Sequence, residues 1–258
     1  MQESGVASVR KRTKMMGSEK CKAERNNQRQ NSEMIRPTIT AQRRYEFAAK
    51  FIADKSKVLK PPVVFDVGAG KAPMRETVER AGLNYYGFDL DVSTPGIMSW
   101  DLSDPCPLKG VQAGVVLLMD VIEHLLNPGL ALDHLCDVLA DDGYLLVSTP
   151  NPRWSKSRLH ALLTGFPASF TQDDLDLNRH VFPVWPHVLA RILEERGFVV
   201  EHYCLLRGRT TWPSLFPISR YPLRLLHAGF CKIIEGIDAT AASLDYAFVA
   251  RKEVGTGS

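Results

Sequence analysis

The chain has 258 residues, 45% hydrophobic and 24% charged, with a formal net charge of +3. That balance describes an ordinary globular protein, one large domain or two small ones, able to bury a sizeable core without staples. Cys21, Cys106, Cys136, Cys204 and Cys231 form no C-x-x-C pair and no zinc-finger spacing, which excludes a disulfide framework and fits unpaired thiols in a reducing cytoplasm. No run approaches the roughly eighteen apolar residues of a membrane span, and the first residues lack the apolar core of a secretory signal.

Residues 1–34 carry Arg10, Lys11, Arg12, Lys14, Lys20, Lys22, Arg25 and Arg29 against Glu3, Glu19 and Glu24. Such a polar, basic stretch cannot offset its chain entropy by burial, so a disordered tail is expected. It is the one feature that suggests a nucleic-acid partner, and a solvated leader explains it as well. Order is expected from residue 35 to 258.

Thr38 or Thr40 can cap a helix in which Tyr45, Ala48, Ala49 and Ile52 recur at helical spacing. Pro61 and Pro62 break the chain before a buried strand at Val63-Val64-Phe65. A helix from Arg75 to Ala81 should close at Gly82, and Asn84 to Asp89 reads as a second strand. Ile97 to Trp100, Val115 to Met119 and Tyr144 to Ser148 read as the next three, with a helix from Gly129 to Leu139 between the last two. Leu90 to Gly96 is too short for a crossover helix, so one helix of the alternation should be missing. A helix at Val188 to Glu195 ended by Gly197, a strand at Phe198 to Leu206 and a last strand at Leu244 to Ala250 complete the pattern. Strands alternating with helices imply a parallel sheet. Irregular insertions at about 150–183 and 207–240, near the carboxyl ends of strands, suggest a lid over a ligand cleft.

The first strand runs into "VFDVGAGKAP", Val64 to Pro73. Small residues at a strand end let the backbone approach a ligand, and the next helix offers free N–H groups. By itself the turn leaves dinucleotide, phosphate and adenosyl ligands open, and a ligand-free tight turn as well. Asp89 ends the second strand about twenty residues further on, where a carboxylate can accept hydrogen bonds from ribose hydroxyls.

"MSWDLSDP" (Met98 to Pro105), "LLMDVIEHLLNP" (Leu117 to Pro128) and "GYLLVSTPNP" (Gly143 to Pro152) follow in order. With the glycine turn, these segments resemble the class I S-adenosylmethionine-dependent methyltransferases, in particular the small-molecule branch that includes ubiquinone-type O-methyltransferases. The resemblance covers about residues 40–251. It implies a Rossmann-like, doubly wound α/β fold with a mostly parallel seven-stranded sheet in the order 3-2-1-4-5-7-6, the last strand antiparallel, under helical lid insertions.

The same resemblance implies that Asp66, Gly68, Ala69 and Gly70 wrap the methionine part of S-adenosylmethionine and that Asp89 with Leu90 holds the ribose. Asp101 and Leu102 would flank the adenine, and Met119, Asp120 and Val121 would lie against the cofactor. The third glycine of the family's turn is replaced by Ala72, followed by Pro73. Methyl transfer is an in-line displacement that asks the protein for alignment and, for a hydroxyl acceptor, a base. His180 and His124 are the candidate bases, each with a purely structural alternative. Asp120, Glu123 and His124 also resemble a Glu-x-x-Glu-His metal group of some ubiquinone-pathway methyltransferases, but such residues are common without a metal and none is assigned.

Trp154, Phe166, Phe170, Phe182, Trp185, Trp212 and Phe216 fall in the insertions, where they can wall an acceptor pocket or simply pack the lid. The reading at this point is methyl transfer to a small molecule, at oxygen, in the cytoplasm. A nucleic-acid methyltransferase using the basic tail and a non-catalytic S-adenosylmethionine-binding module are the alternatives.

Overall fold

The computed structural model describes residues 36–208 and 221–254. The tail 1–34, Trp212 and Phe216 lie outside the described residues. In chain order the elements are β1 (Thr38–Ile39), α1 (Arg44–Lys55), β2 (Val63–Val67), α2 (Arg75–Arg80), β3 (Asn84–Asp89), β4 (Ile97–Ser99) and β5 (Ala113–Met119). After a 3-10 turn at Ile122–His124 come α3 (Pro128–Val138), β6 (Leu139–Pro150), α4 (Ser155–Thr164), α5 (Gln172–Asn178) and α6 (Pro186–Glu194). Then follow β7 (Phe198–Leu206), α7 (Tyr221–Ile237), a 3-10 turn at Ala239–Ala241 and β8 (Asp245–Lys252).

Side chains alternate between the faces of a strand, and both faces of the central strands are apolar, so the sheet must be covered twice. Val64, Val115, Leu117 and Leu146 bury against Ala48 and Ile52 of α1 and Val78 of α2. Phe65, Val67, Val116, Leu118, Leu145 and Val147 bury with Leu132 and Leu135 of α3 and Leu189 and Leu193 of α6. Asn127 caps α3 by accepting from Leu130 N at 3.1 Å, with Pro128 behind it, a pairing that suits a helix start.

The sheet has eight strands in the order β1-β7-β8-β6-β5-β2-β3-β4. Neighbours are parallel except where β8 runs antiparallel between β6 and β7. The fold is thus the Rossmann-like α/β architecture, but the sheet differs from the expected seven strands by β1. Thr38, expected to cap a helix, instead pairs with Cys204 and Ile39 with Leu205 on the outer edge of β7. Two β-branched residues there satisfy an edge that would otherwise present an open ladder. Helix α1 begins later, with Arg43 N donating to Glu46 Oε2 at 3.0 Å.

No helix separates β3 from β4. The link is held instead by Asp89 Oδ1 accepting from Asp91 N at 3.0 Å and Asp91 Oδ1 accepting from Ser93 N at 2.9 Å, local turns that Asp side chains favour. The first insertion contains α4 and α5, and the second contains α7. Both are tied at their roots by buried Asn151, whose amide donates to Thr240 O and Ser243 O, each at 3.0 Å, while its own N–H donates to Leu244 O at 2.6 Å.

Replacing Asn151 with Ala leaves two buried carbonyls without their donor. Asn151→Ala is therefore expected to lower unfolding free energy by about 2–4 kcal/mol, measured by urea denaturation; a loss under about 0.5 kcal/mol would mean that the roots of the insertions are held by other contacts.

Candidate functional site

The carboxyl ends of β2, β3, β5 and β6 meet at one edge of the sheet. In the turn after β2, Gly68 (φ +72°) and Ala69 donate their N–H groups to Phe88 O at 2.8 and 3.0 Å. A Cβ on Gly68 would lie 2.2 Å from Val121 Cγ2, whereas one on Gly70 (φ +51°) would meet nothing within 4 Å. The first glycine is needed for contact between two loops, and the second leaves open space over the turn. Gly70 N donates to Asp89 Oδ2 at 2.7 Å. Open space beside a half-buried carboxylate that, among the described residues, accepts from the backbone N–H groups of Gly70 and Asp91 fits a ligand with hydroxyls to share.

Beneath the turn Asp66 is buried and accepts from Tyr85 OH at 2.8 Å. Burial pushes its carboxyl up to about 6. Leu90 is exposed, while Leu102 is buried in the core and its carbonyl faces His134 Nδ1 at 3.0 Å. Asp101 is exposed, and accepting from Ser103 N and Oγ holds its carboxyl below the usual range.

Ala72 stands at φ +53°. The family's glycine at this place therefore serves the backbone, because a left-handed conformation costs an L-residue roughly 1–2 kcal/mol.

At the end of β5, Met119 is buried and Asp120 takes φ +55°. Its carboxylate is ion-paired with Arg44 of α1 and accepts from Ser148 Oγ of β6 at 2.5 Å. Among the described residues the side chains with metal-ligand chemistry that converge are Glu123, His124 and His180 rather than Asp120, Glu123 and His124, with one ligand-type atom from each lying within 4.8 Å of the others. The His124 and His180 rings are 4.9 Å apart at 67°. His180 reaches this place because Val181 and Phe182 both donate to Glu123 O, at 3.0 and 3.1 Å. His124 Nδ1 faces Arg179 O at 3.2 Å, and His180 Nδ1 faces Ser169 O at 2.6 Å. A carbonyl only accepts, so a ring nitrogen that faces one serves as the donor of that contact.

Glu123 is fully buried, and burial followed by the charge of Asp120 pushes its carboxyl up to about 8. Burial and His180 hold the His124 imidazole below its ordinary range. Asp245 at the start of β8 is buried against Arg207 Nε at 2.7 Å, and burial, then Asp120, push it up to about 6. Arg44, Ser148, Asp245 and Arg207 were not singled out from sequence; of these, Ser148 alone stands within a quoted motif, "STPNP".

A glycine turn, a following helix and an acid at the next strand end, all at the carboxyl edge of a parallel sheet, define a Rossmann-like protein that binds a nucleoside-containing ligand. Residues 39–203 match the model of the methyltransferase domain. The chain belongs to that family: it is an S-adenosylmethionine-dependent methyltransferase, and S-adenosylmethionine is its cofactor.

Among solved structures it is similar to a SAM-dependent methyltransferase from Archaeoglobus fulgidus, at 19% identity and a TM-score of 0.54, covering 81% of this chain and 94% of that one. It is also similar to the plantazolicin methyltransferase BamL in complex with SAH, at 11% identity and 0.51 over 90% of each chain. The [4+2]-cyclase SpnF matches at 15% and 0.51, over 81% and 82%. No curated protein matches the sequence. Among the described residues no helix is long and apolar enough to cross a membrane.

Two measurements probe the turn and the buried acid. Gly68→Ala should destabilise the protein by about 2 kcal/mol or more through overpacking on Val121, while Ala72→Gly should stabilise it by up to about 1 kcal/mol; opposite signs in urea denaturation are the expected result. For Glu123 the folded carboxyl lies near 8 against 4.5 unperturbed, so the folded state holds the proton more tightly. Its contribution is complete below the unperturbed value and is lost as pH rises through about 8. Glu123→Gln should match wild type in acid and exceed it in alkali by something on the order of 3 kcal/mol, read from melting curves of ligand-free protein; parallel pH profiles would refute this.

Proposed function

We propose that the enzyme moves the methyl group of S-adenosylmethionine to a hydroxyl oxygen of a small-molecule acceptor bound at this edge. The observation that carries the reading is the His124–His180 pair, two imidazoles with ring centroids 4.9 Å apart beside the buried Glu123 carboxyl. In this reading Asp66, Gly68, Ala69 and Gly70 form the cradle for the methionine end. Asp89 and Leu90 take the ribose, Asp101 and Leu102 border the adenine, and Met119, Asp120 and Val121 form the floor.

When bound, the cofactor supplies a sulfonium methyl carbon, at which the acceptor oxygen forms a C–O bond as the C–S bond breaks. The chain contributes alignment and removal of the hydroxyl proton. His180 is carried by the insertion and is the proposed base; His124, kept neutral by burial, is the second candidate. With its carboxyl pushed up to about 8, Glu123 is largely protonated at neutral pH and places little negative charge beside the imidazoles. Trp154, Phe166, Phe170, Phe182 and Trp185 provide apolar wall for the acceptor, and the insertions at 150–183 and 207–240 act as its lid. Residues 35–258 form the working domain behind a basic tail, in the cytoplasm.

Titration calorimetry with S-adenosylhomocysteine and with NAD tests the cradle. Wild type should bind the first and not the second, and Asp89→Ala should weaken binding by about tenfold or more, the worth of one to two charged hydrogen bonds; equal binding by the variant would sink the ribose assignment. A labelled-methyl acceptor screen then tests the base, with His180→Ala expected to lose about a hundredfold in kcat while keeping S-adenosylhomocysteine affinity. Full turnover by His180→Ala would pass that role to His124, and full turnover by both variants would remove it from this pair.

A further inference from the structure

Where α1 meets the end of β5, one charged donor is left over. Arg44, the first residue of α1, is ion-paired through Nη1 with one oxygen of Asp120, while the other oxygen accepts from Ser148 Oγ. The Nε of the same guanidinium is buried and has no hydrogen-bond partner among the described residues. Its Cζ lies over the Tyr45 ring, 4.9 Å from the centroid, so the group is fixed on two sides. A buried charged donor without an acceptor is costly, and a bound ligand is one of the groups that can relieve it.

Its place in the sheet indicates which part of a ligand does so. Strands β4, β3, β2 and β5 are neighbours in that order, and Asp101, Asp89, the glycine turn and Asp120 stand at or just beyond their carboxyl ends. Val121, next to Asp120, sits where a Cβ on Gly68 would fall. A nucleoside whose ribose lies at Asp89 with its base toward β4 sends its 5′ substituent across the glycine turn to the end of β5. In S-adenosylmethionine that substituent ends in an amino acid, with a carboxylate and an ammonium on one carbon. A zwitterion of this kind complements an arginine–carboxylate pair, and the planar guanidinium is the side chain best shaped to hold a carboxylate. Other cations near this edge are less suited: Arg207 is paired with Asp245, Arg75 donates to Pro95 O at 2.9 Å, and Lys71 is exposed.

We propose that Arg44 receives the α-carboxylate of S-adenosylmethionine through the donor left over from its pairing with Asp120, and so holds the amino-acid end of the cofactor beside the end of β5. This rests on the reading of Asp89 as the ribose residue. It makes α1, which precedes every cofactor residue named from sequence, a part of the cofactor site.

Calorimetry on the full chain with two probes tests this: S-adenosylhomocysteine, and S-adenosyl-3-thiopropylamine, the same molecule without its carboxylate. Wild type should bind the first at least about tenfold more tightly, the worth of a hydrogen bond to a charged group. Arg44→Gln should lose about tenfold or more of its S-adenosylhomocysteine affinity and none of its affinity for the decarboxylated probe, so that the preference disappears. Equal binding of the two probes by wild type overturns the proposal. An equal loss of both probes by Arg44→Gln also overturns it and leaves Arg44 as a brace between α1 and Asp120; a preference that survives in the variant does the same. Lys71→Gln should keep the wild-type preference, and its loss there too would reveal a general effect of charge and overturn the assignment. Should Arg44→Gln not fold, Arg44→Lys keeps the charge beside Asp120 without the planar fork, and the preference should fall at least about threefold; an unchanged preference overturns the proposal. Both probes carry the ribose, so a failure of the Asp89 reading would affect them together and stands apart from a failure at Arg44.

Discussion

No side chain can stand between the turn after β2 and the turn after β5, since a Cβ on Gly68 would overlap Val121. That contact sets the position of much else at the edge. With Val121 seated on Gly68, the 3-10 turn Ile122–His124 starts at a fixed place, and Glu123 and His124 follow from it. The carbonyl of Glu123 then receives Val181 and Phe182, which brings His180 across from a segment more than fifty positions away. An insertion that looks irregular in sequence is thus registered on the central strands by two backbone hydrogen bonds. The cradle side and the proton-accepting side of the proposed reaction share one mechanical reference, so a disturbance at Gly68 should be felt at His180 without any direct contact.

The same edge collects carboxyl groups in low-dielectric surroundings, and the protein treats them unequally. Asp120 is given Arg44 and Ser148, and Asp245 is given Arg207. Among the described residues no cationic side chain forms an ion pair with Glu123, and burial next to the charge of Asp120 pushes its carboxyl up to about 8. A buried charge without a partner is far more costly than a buried neutral acid. Pairing Asp120 with Arg44 also draws α1 onto the site, so the first helix of the domain is held by the same carboxylate that ends β5.

Strands β2 and β5 and the Tyr144–Ser148 stretch of β6 were legible because their residues are nearly all apolar and are punctuated by Gly, Pro and Asp, whereas the order of the strands was implied by the family resemblance alone. The missing helix after β3 was legible from length alone. Two residues of strand at Thr38 and Ile39 carry no periodicity to read, and Thr40 imitated a cap because it does make a local turn, accepting from Gln42 N at 3.2 Å. The glycine turn, Asp89 and the two histidines could be named from sequence, but the partners of Asp120 could not. Arg44 and Ser148 lie 76 and 28 positions from it, in segments read as helix and strand for their apolar faces. From sequence Ala72 was legible only as a replaced glycine, whereas its φ of +53° shows that the position makes a backbone demand. Helix α7 escaped altogether, because its 17 residues lie within a stretch read as an irregular insertion.

The insertions bear on how fold and chemistry are related here. The fold of methyltransferases also serves a [4+2]-cyclase, so the strands and the cradle do not by themselves choose the reaction or its acceptor. What the insertions of this chain add is His180 from the first and α7 from the second. Asn151 binds the roots of both, and Arg153 and Arg158 at the start of the first insertion pair with Asp238 at the end of α7. The segment that carries His180 and the root of α7 are consequently braced against each other through a small set of buried and partly buried polar contacts. Coupling of this kind requires no moving lid: if the braces hold, the placement of the proposed base and the packing of the second insertion are two consequences of one rigid arrangement.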